Sequence, residues 1–194
     1  MPDDRWLVVG LGNPDDEYGG TRHNPGADTA RVIAERHGRP FARNRKIRCE
    51  LADVKVGGRP VSLVIPESYM NLSGGPVQAA ARWLKVPAQR VVVVHDDIDL
   101  AFGRLRIKQG GGHGGHNGLR DIERALGTRD WHRVRIGIGR PPGRMDPADF
   151  VLRSFTAAER TGIDVTIQQA ADAVEHLVEH GLASAQQRYH AANP

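Results

Sequence analysis

Val91-Val-Val-Val94, followed at once by His95-Asp-Asp-Ile-Asp99, decides how this chain folds. Four apolar β-branched residues in a row have no polar face. A strand made of them must be covered on both sides, as in the centre of a sheet flanked by helices. The abrupt change to His and Asp marks the carboxyl end of that strand, where open α/β sheets place their sites. Working outward, Trp6-Leu-Val-Val-Gly-Leu11 reads as a second buried strand. Residues 47–56 and 61–65 form a hairpin through Gly57-Gly58. Residues 104–108 alternate like a half-exposed strand, and Val134, Ile136 and Ile138 mark one more.

Helix signals fall between these strands. Asn24-Pro25 reads as N-cap and first helical residue, with Ala30, Ile33, Ala34 and His37 at helical spacing and Gly38 as the stop. Ser73 and Pro76 start a helix that turns Val77, Ala80, Ala81 and Leu84 inward. Asn117 is read as the cap of the next, which carries Leu119, Ile122 and Leu126 and ends at Gly127. Thr156-Ala-Ala-Glu159 is a capping box opening a long helix that Gly181 breaks, and a short helix ends near His190. Strands and helices interleave around a hairpin. The expectation is an α/β protein: a single domain over residues 1–194 with a twisted mixed β-sheet surrounded by helices.

One cysteine, Cys49, leaves no internal disulfide framework. No apolar run approaches the ~20 residues needed to cross a bilayer, and the acidic start Met1-Pro-Asp-Asp-Arg5 does not read as a signal peptide. A cytoplasmic protein with no membrane partner is expected. The formal charge is only +4, but it is unevenly placed. Residues 104–144 carry a net +7 and residues 39–59 a net +5, on an otherwise acidic chain. Such segments suit a polyanionic partner, or an Arg-rich solvated surface, since 23 of the 27 basic residues are Arg.

Four polar segments, residues 13–24, 68–73, 95–99 and 113–117, lie where a sheet would end and could converge on one cleft. Gly10-Leu-Gly12-Asn-Pro-Asp15 departs from the dinucleotide fingerprint at its third glycine position, and the helix after it starts too late. His95-Asp-Asp-Ile-Asp99 with His113-Gly-Gly-His116 could suggest a metal, but its spacing is not a zinc pattern. Gly110-Gly-Gly-His-Gly-Gly-His-Asn-Gly118 has no P-loop ending. Six glycines cost much backbone entropy to order, which favours a loop that closes on something over a mere connector. His23 with Asp96 supplies a base of suitable pKa and a carboxylate to orient it, though a surface histidine fits the spacing too. With no nucleophile elbow, water is the expected nucleophile if the reaction is hydrolysis. Asn13, Asn71 and Asn117 can grip amides or waters, or serve as turn and cap residues. Met70, Tyr18 and Tyr69 suit either a cleft or the core.

Gly10-Leu-Gly-Asn-Pro14, Tyr18 and Thr21-Arg-His-Asn24 resemble the opening of bacterial peptidyl-tRNA hydrolases. Tyr69-Met-Asn-Leu-Ser-Gly74, His95-Asp-Asp-Ile-Asp-Leu100, the glycine loop to Leu119 and Arg135-Ile-Gly-Ile-Gly-Arg-Pro141 match its other signatures in order. The resemblance implies a monomeric enzyme without metal or organic cofactor and without an obligate protein partner. Its reaction would be hydrolysis of the ester between a peptide and the 3′ end of tRNA, recycling tRNA dropped by the ribosome. It implies His23 as general base, Asp96 as its orienting carboxylate and Asn13 beside the peptide. Asn71 and Asn117 would position water, ester or tRNA end. Tyr18 and Tyr69 would contact the terminal nucleotide, and Met70 and Gly114 belong to the same substrate-binding set. Lys108 and Arg135 would bind backbone phosphate. Two positions depart from the pattern: Asp15 stands where Gly is usual, and Tyr69 where Phe is usual. A non-catalytic RNA-binding module and a metallohydrolase are the competing readings.

Overall fold

Val91 and Val93 face one apolar layer, Val92 and Val94 the other, and all four are fully buried. This is seen in a computed structural model that describes residues 3–191. Burial of each such side chain is worth about 1.5–3 kcal/mol, so the run anchors the sheet from both sides. Its strand, β5 (Val91–Asp97), pairs in parallel with β1 (Trp6–Gly10) and with β7 (His132–Gly137). β1 also runs parallel to β4 (Arg59–Pro66). The remaining pairings are antiparallel: β2 (Ala42–Asn44) with β3 (Cys49–Val56), β3 with β4, and β6 (Leu105–Gln109) with β7. The seven strands lie in the order β2-β3-β4-β1-β5-β7-β6, a mixed sheet with its parallel part in the middle.

One face is covered by α2 (Pro25–Arg36), α6 (Ala157–His180) and α7 (Leu182–Ala191), through Ile33, Ile163, Ile167, Val174, Leu177 and Ala185. The other carries α3 (Gly74–Trp83) and α4 (Asn117–Leu126), through Val77, Ala80, Leu119 and Ile122. Two short helices, α1 (Asp15–Tyr18) and α5 (Pro147–Val151), lie in segments to which the sequence reading gave no helix. They have too few residues to show a period. Edge strand β2 was also missed, because its three residues are mostly exposed and carry no alternation. β3 starts later than the hairpin reading has it, since residues 45–48 form a turn in which Arg48 adopts φ +55°.

Two helix starts differ from the sequence reading, and both matter to the site. The cap of α4 is His116, not Asn117: His116 Nδ1 accepts from the Gly118 and Leu119 amides at 3.1 and 3.3 Å, and Asn117 is the first helical residue. Asn24 stands at the α2 N-cap position but does not cap with its side chain. A Cβ on Gly26 would lie 2.1 Å from the Val94 carbonyl oxygen, so only glycine lets the first turn of α2 rest on β5. That close approach brings His23, just upstream, to the carboxyl end of the strand that carries Asp96.

Candidate active site

Asp96 is buried at the end of β5 with an imidazole on each carboxylate oxygen. His23 Nδ1 lies 2.8 Å from Oδ2, and His116 Nε2 lies 3.0 Å from Oδ1. Because His116 Nδ1 accepts two helix amides, its proton sits on Nε2 and is donated to Asp96. His23 donates from Nδ1, which leaves the lone pair on Nε2. Burial alone would raise the Asp96 pKa. The charges and hydrogen bonds of His23 and His116 outweigh it and hold the carboxyl well below the usual range. His95, next along, is a different case. Its Nδ1–H donates to the Asp96 carbonyl at 2.7 Å, and burial, then His116, push it down, so it stays neutral.

The four polar segments do meet. Asn13 Oδ1 accepts the Met70 amide at 2.7 Å, which leaves its amide nitrogen as donor. Asn24 grips the Asn13 backbone from both sides, accepting its N–H and donating to its C=O, each at 3.0 Å. A Cβ on Gly118 would come within 2.6 Å of the Met70 sulfur and 3.1 Å of the His116 ring, so the glycine lets the three segments close up. Asp15 is tied to Arg31 at 2.7 Å and to Asn24 at 3.2 Å, so its added charge is met locally.

His23 and Asp96 open into a cleft of about 320 Å³ that is also lined by Lys108, Gly114, Asn117 and Arg135. Arg135 Nε pairs with Asp97 at 2.8 Å. Burial, then Arg135 and Arg133, lower the Lys108 pKa. Arg133 had no part in the sequence reading, yet it holds the glycine loop. It is almost wholly buried, donates to the Gly112 and Gly111 carbonyls at 2.6 and 2.7 Å, and lies 3.9 Å over the Trp131 ring. A loop without side chains must satisfy its carbonyls from outside, and a cation on the neighbouring strand was the available signal. His116 was also missed, having been read only as part of a loop or a metal pattern.

Five expected residues do not line this cleft: Asn13 and Met70, which bond to each other, and Asn71, Tyr18 and Tyr69. Asn71 lies in an adjoining depression with Arg120 and Arg124, which meets the cleft at Asn117. Tyr18 and Tyr69 pack edge to face at 6.4 Å, and the Tyr69 hydroxyl donates to Glu17 at 2.7 Å. Cys49 is inert: burial pushes its thiol up to about 12. Ligand atoms of His23, Asp96 and His116 lie within 4.8 Å of one another, close enough for a cation. The His116 tautomer, however, points a proton and not a lone pair into that space.

What fold and cleft define together is an α/β protein with a buried histidine–carboxylate pair at a cleft lined by both cations and carboxylates. The chain belongs to the peptidyl-tRNA hydrolase family, whose model matches residues 7–194. It is 58% identical to a peptidyl-tRNA hydrolase of Nocardia farcinica over 95% of each chain. It is 54% identical to one of Frankia casuarinae, over 97% of this chain and 95% of that one. The crystal structure of peptidyl-tRNA hydrolase from Acinetobacter baumannii superimposes with a TM-score of 0.90 at 34% identity, covering 97% of this chain and 96% of that one.

Proposed function

We propose that this chain carries out the reaction of its family: hydrolysis of the ester joining a peptide to the 3′ end of tRNA, which releases peptide and reusable tRNA. The observation that carries the reading is the 2.8 Å contact between buried His23 and Asp96, in a cleft shared with Lys108 and Arg135. His23 Nε2 takes a proton from water as the oxygen attacks the ester carbonyl. Asp96 stabilises the imidazolium, which returns the proton to the departing ribose oxygen. A base of this kind contributes roughly 10²–10⁴-fold, and one well-placed oxyanion donor adds about 3 kcal/mol.

Asn13, its oxygen already engaged, donates from its amide to the peptide beside the ester. Asn117 and Asn71 position the tRNA end, and Tyr18, Tyr69, Met70 and Gly114 contact its last nucleotide. Lys108 and Arg135 take backbone phosphate, which supplies affinity without reading bases. No metal or organic cofactor enters this scheme. The chain acts as a single-domain monomer in the cytoplasm, without an obligate protein partner. No helix among the described residues is long and apolar enough to cross a membrane. The test compares N-acetylated with unblocked aminoacyl-tRNA. Release from the blocked form, with little from the unblocked, is expected, and equal rates or no release would overturn the reading.

A further inference from the structure

The basic segment at residues 39–59 has no part in that reaction, and the fold turns some of it into a groove. The turn at residues 45–48, between β2 and β3, lies beside α3, and a space of about 430 Å³ opens between them. Lys46, Arg48, Arg82 and Trp83 line it with Gly75 and Gln78, and no carboxylate does. Several surface cations are engaged by carboxylates: Arg31 with Asp15 and Glu50, Arg36 with Asp172, Arg43 with Glu67, Arg129 with Glu123. Lys46, Arg48 and Arg82 have no such ion pair among the described residues. Trp83 is 43% exposed between them, an unusual state for an indole. Free cations around an exposed aromatic face are the means by which proteins hold unpaired RNA, with charge on phosphate and the ring under a base.

We propose that this groove is a second RNA-binding site, in which Arg48 and Arg82 hold phosphate and an unpaired base stacks on Trp83. Its occupant is part of the tRNA whose 3′ end enters the His23 cleft, so the proposal rests on the reading above. A depression adjoining the cleft comes within four residues of the groove along the chain. The cleft meets the Asn71–Arg120–Arg124 depression at Asn117, and Asn71 lies one turn before Gly75 at the groove. Helices α3 and α4 are pinned together: the Gly74 amide donates to Asp121 and the Gln78 side chain to the Ala125 carbonyl, each at 2.7 Å.

The test uses the full chain and deacylated tRNA. Trp131 is buried and Trp6 half-buried, so tRNA should quench the exposed Trp83, and the quench should vanish in Trp83→Phe. Inorganic polyphosphate should not reproduce it. Arg48→Ala with Arg82→Ala should lower the slope of log affinity against log salt by about 1.4, at ~0.7 per lost contact to single-stranded phosphate. Trp83→Ala should raise KM for N-acetylated aminoacyl-tRNA about tenfold, with kcat little changed. Equal quenching by polyphosphate would reduce the groove to a bare anion site and overturn the proposal. So would a double variant with unaltered salt slope and KM. All these side chains are exposed, so folding is not at stake. If the unmodified chain cleaves no peptidyl-tRNA, the proposed activity fails. If it cleaves and the variants match it, only the groove fails.

Discussion

In the His23 cleft the charged groups, Lys108 excepted, are held by the protein itself; in the groove beside Trp83 they are not. Asp96 carries two imidazoles, Arg135 pairs with Asp97, and Arg133 is spent on the Gly111 and Gly112 carbonyls. Lys46, Arg48 and Arg82 face open space. The difference follows from the task. Proton transfer requires groups fixed to within about 0.5 Å, so the fold supplies their partners in advance. Charge-driven binding gains from cations that displace the counterions condensed on the nucleic acid, so protein partners would weaken it.

Substitutions should separate the two regions by what they damage. The largest effect is expected for His23→Ala: kcat on N-acetylated aminoacyl-tRNA falls about 10³-fold while the circular dichroism spectrum and tRNA affinity stay near those of the parent. Arg133→Met comes next. It removes two charge-assisted hydrogen bonds to the glycine loop and the cation from Trp131, so the denaturant midpoint should drop by the equivalent of about 3 kcal/mol, and amides of residues 110–115 should exchange faster.

Asp96→Asn follows, at about 2 kcal/mol at pH 7, because the two imidazole N–H groups meet separate carboxylate oxygens and the Asn NH2, a donor, would face one of them. The Asp96 pKa is lowered in the fold, so its stabilisation is complete above the ordinary carboxylate value near 4. It fades as pH falls below that value, and the gap between Asp96→Asn and parent, followed by urea unfolding, should narrow in the same range. Arg82→Ala should be smallest, within about 0.5 kcal/mol of the parent in stability. A large loss there would mean that the groove is part of the scaffold, and the contrast between the regions would collapse.

Much of the site was legible because polar residues interrupt apolar strands at a few places only. The break after Val94 located Asp96, and Asn24-Pro25 placed His23 just before α2. Helix ends were less legible. Asn117 is the better cap by side-chain preference, but His116 takes the position because its other nitrogen reaches Asp96, a partner remote in the chain. Arg133 precedes Val134 in the alternating strand, and the sequence reading gave it no role. The glycine loop folded over it and made that position interior. Tyr18 and Tyr69 were grouped with the His23 set, yet they pair with each other, outside the cleft.

Local order could be read from the chain directly: which segments are strands, where helices begin, which residue types could act as base, carboxylate or phosphate ligand. These depend on side-chain period and backbone preference over a few neighbours. Only the tertiary structure decided which nitrogen of His23 is left free, why His116 shares its carboxylate, and which cations are committed. Those depend on partners brought together from 20 to 73 positions apart, and pairing at that range is set by how helices and sheet pack.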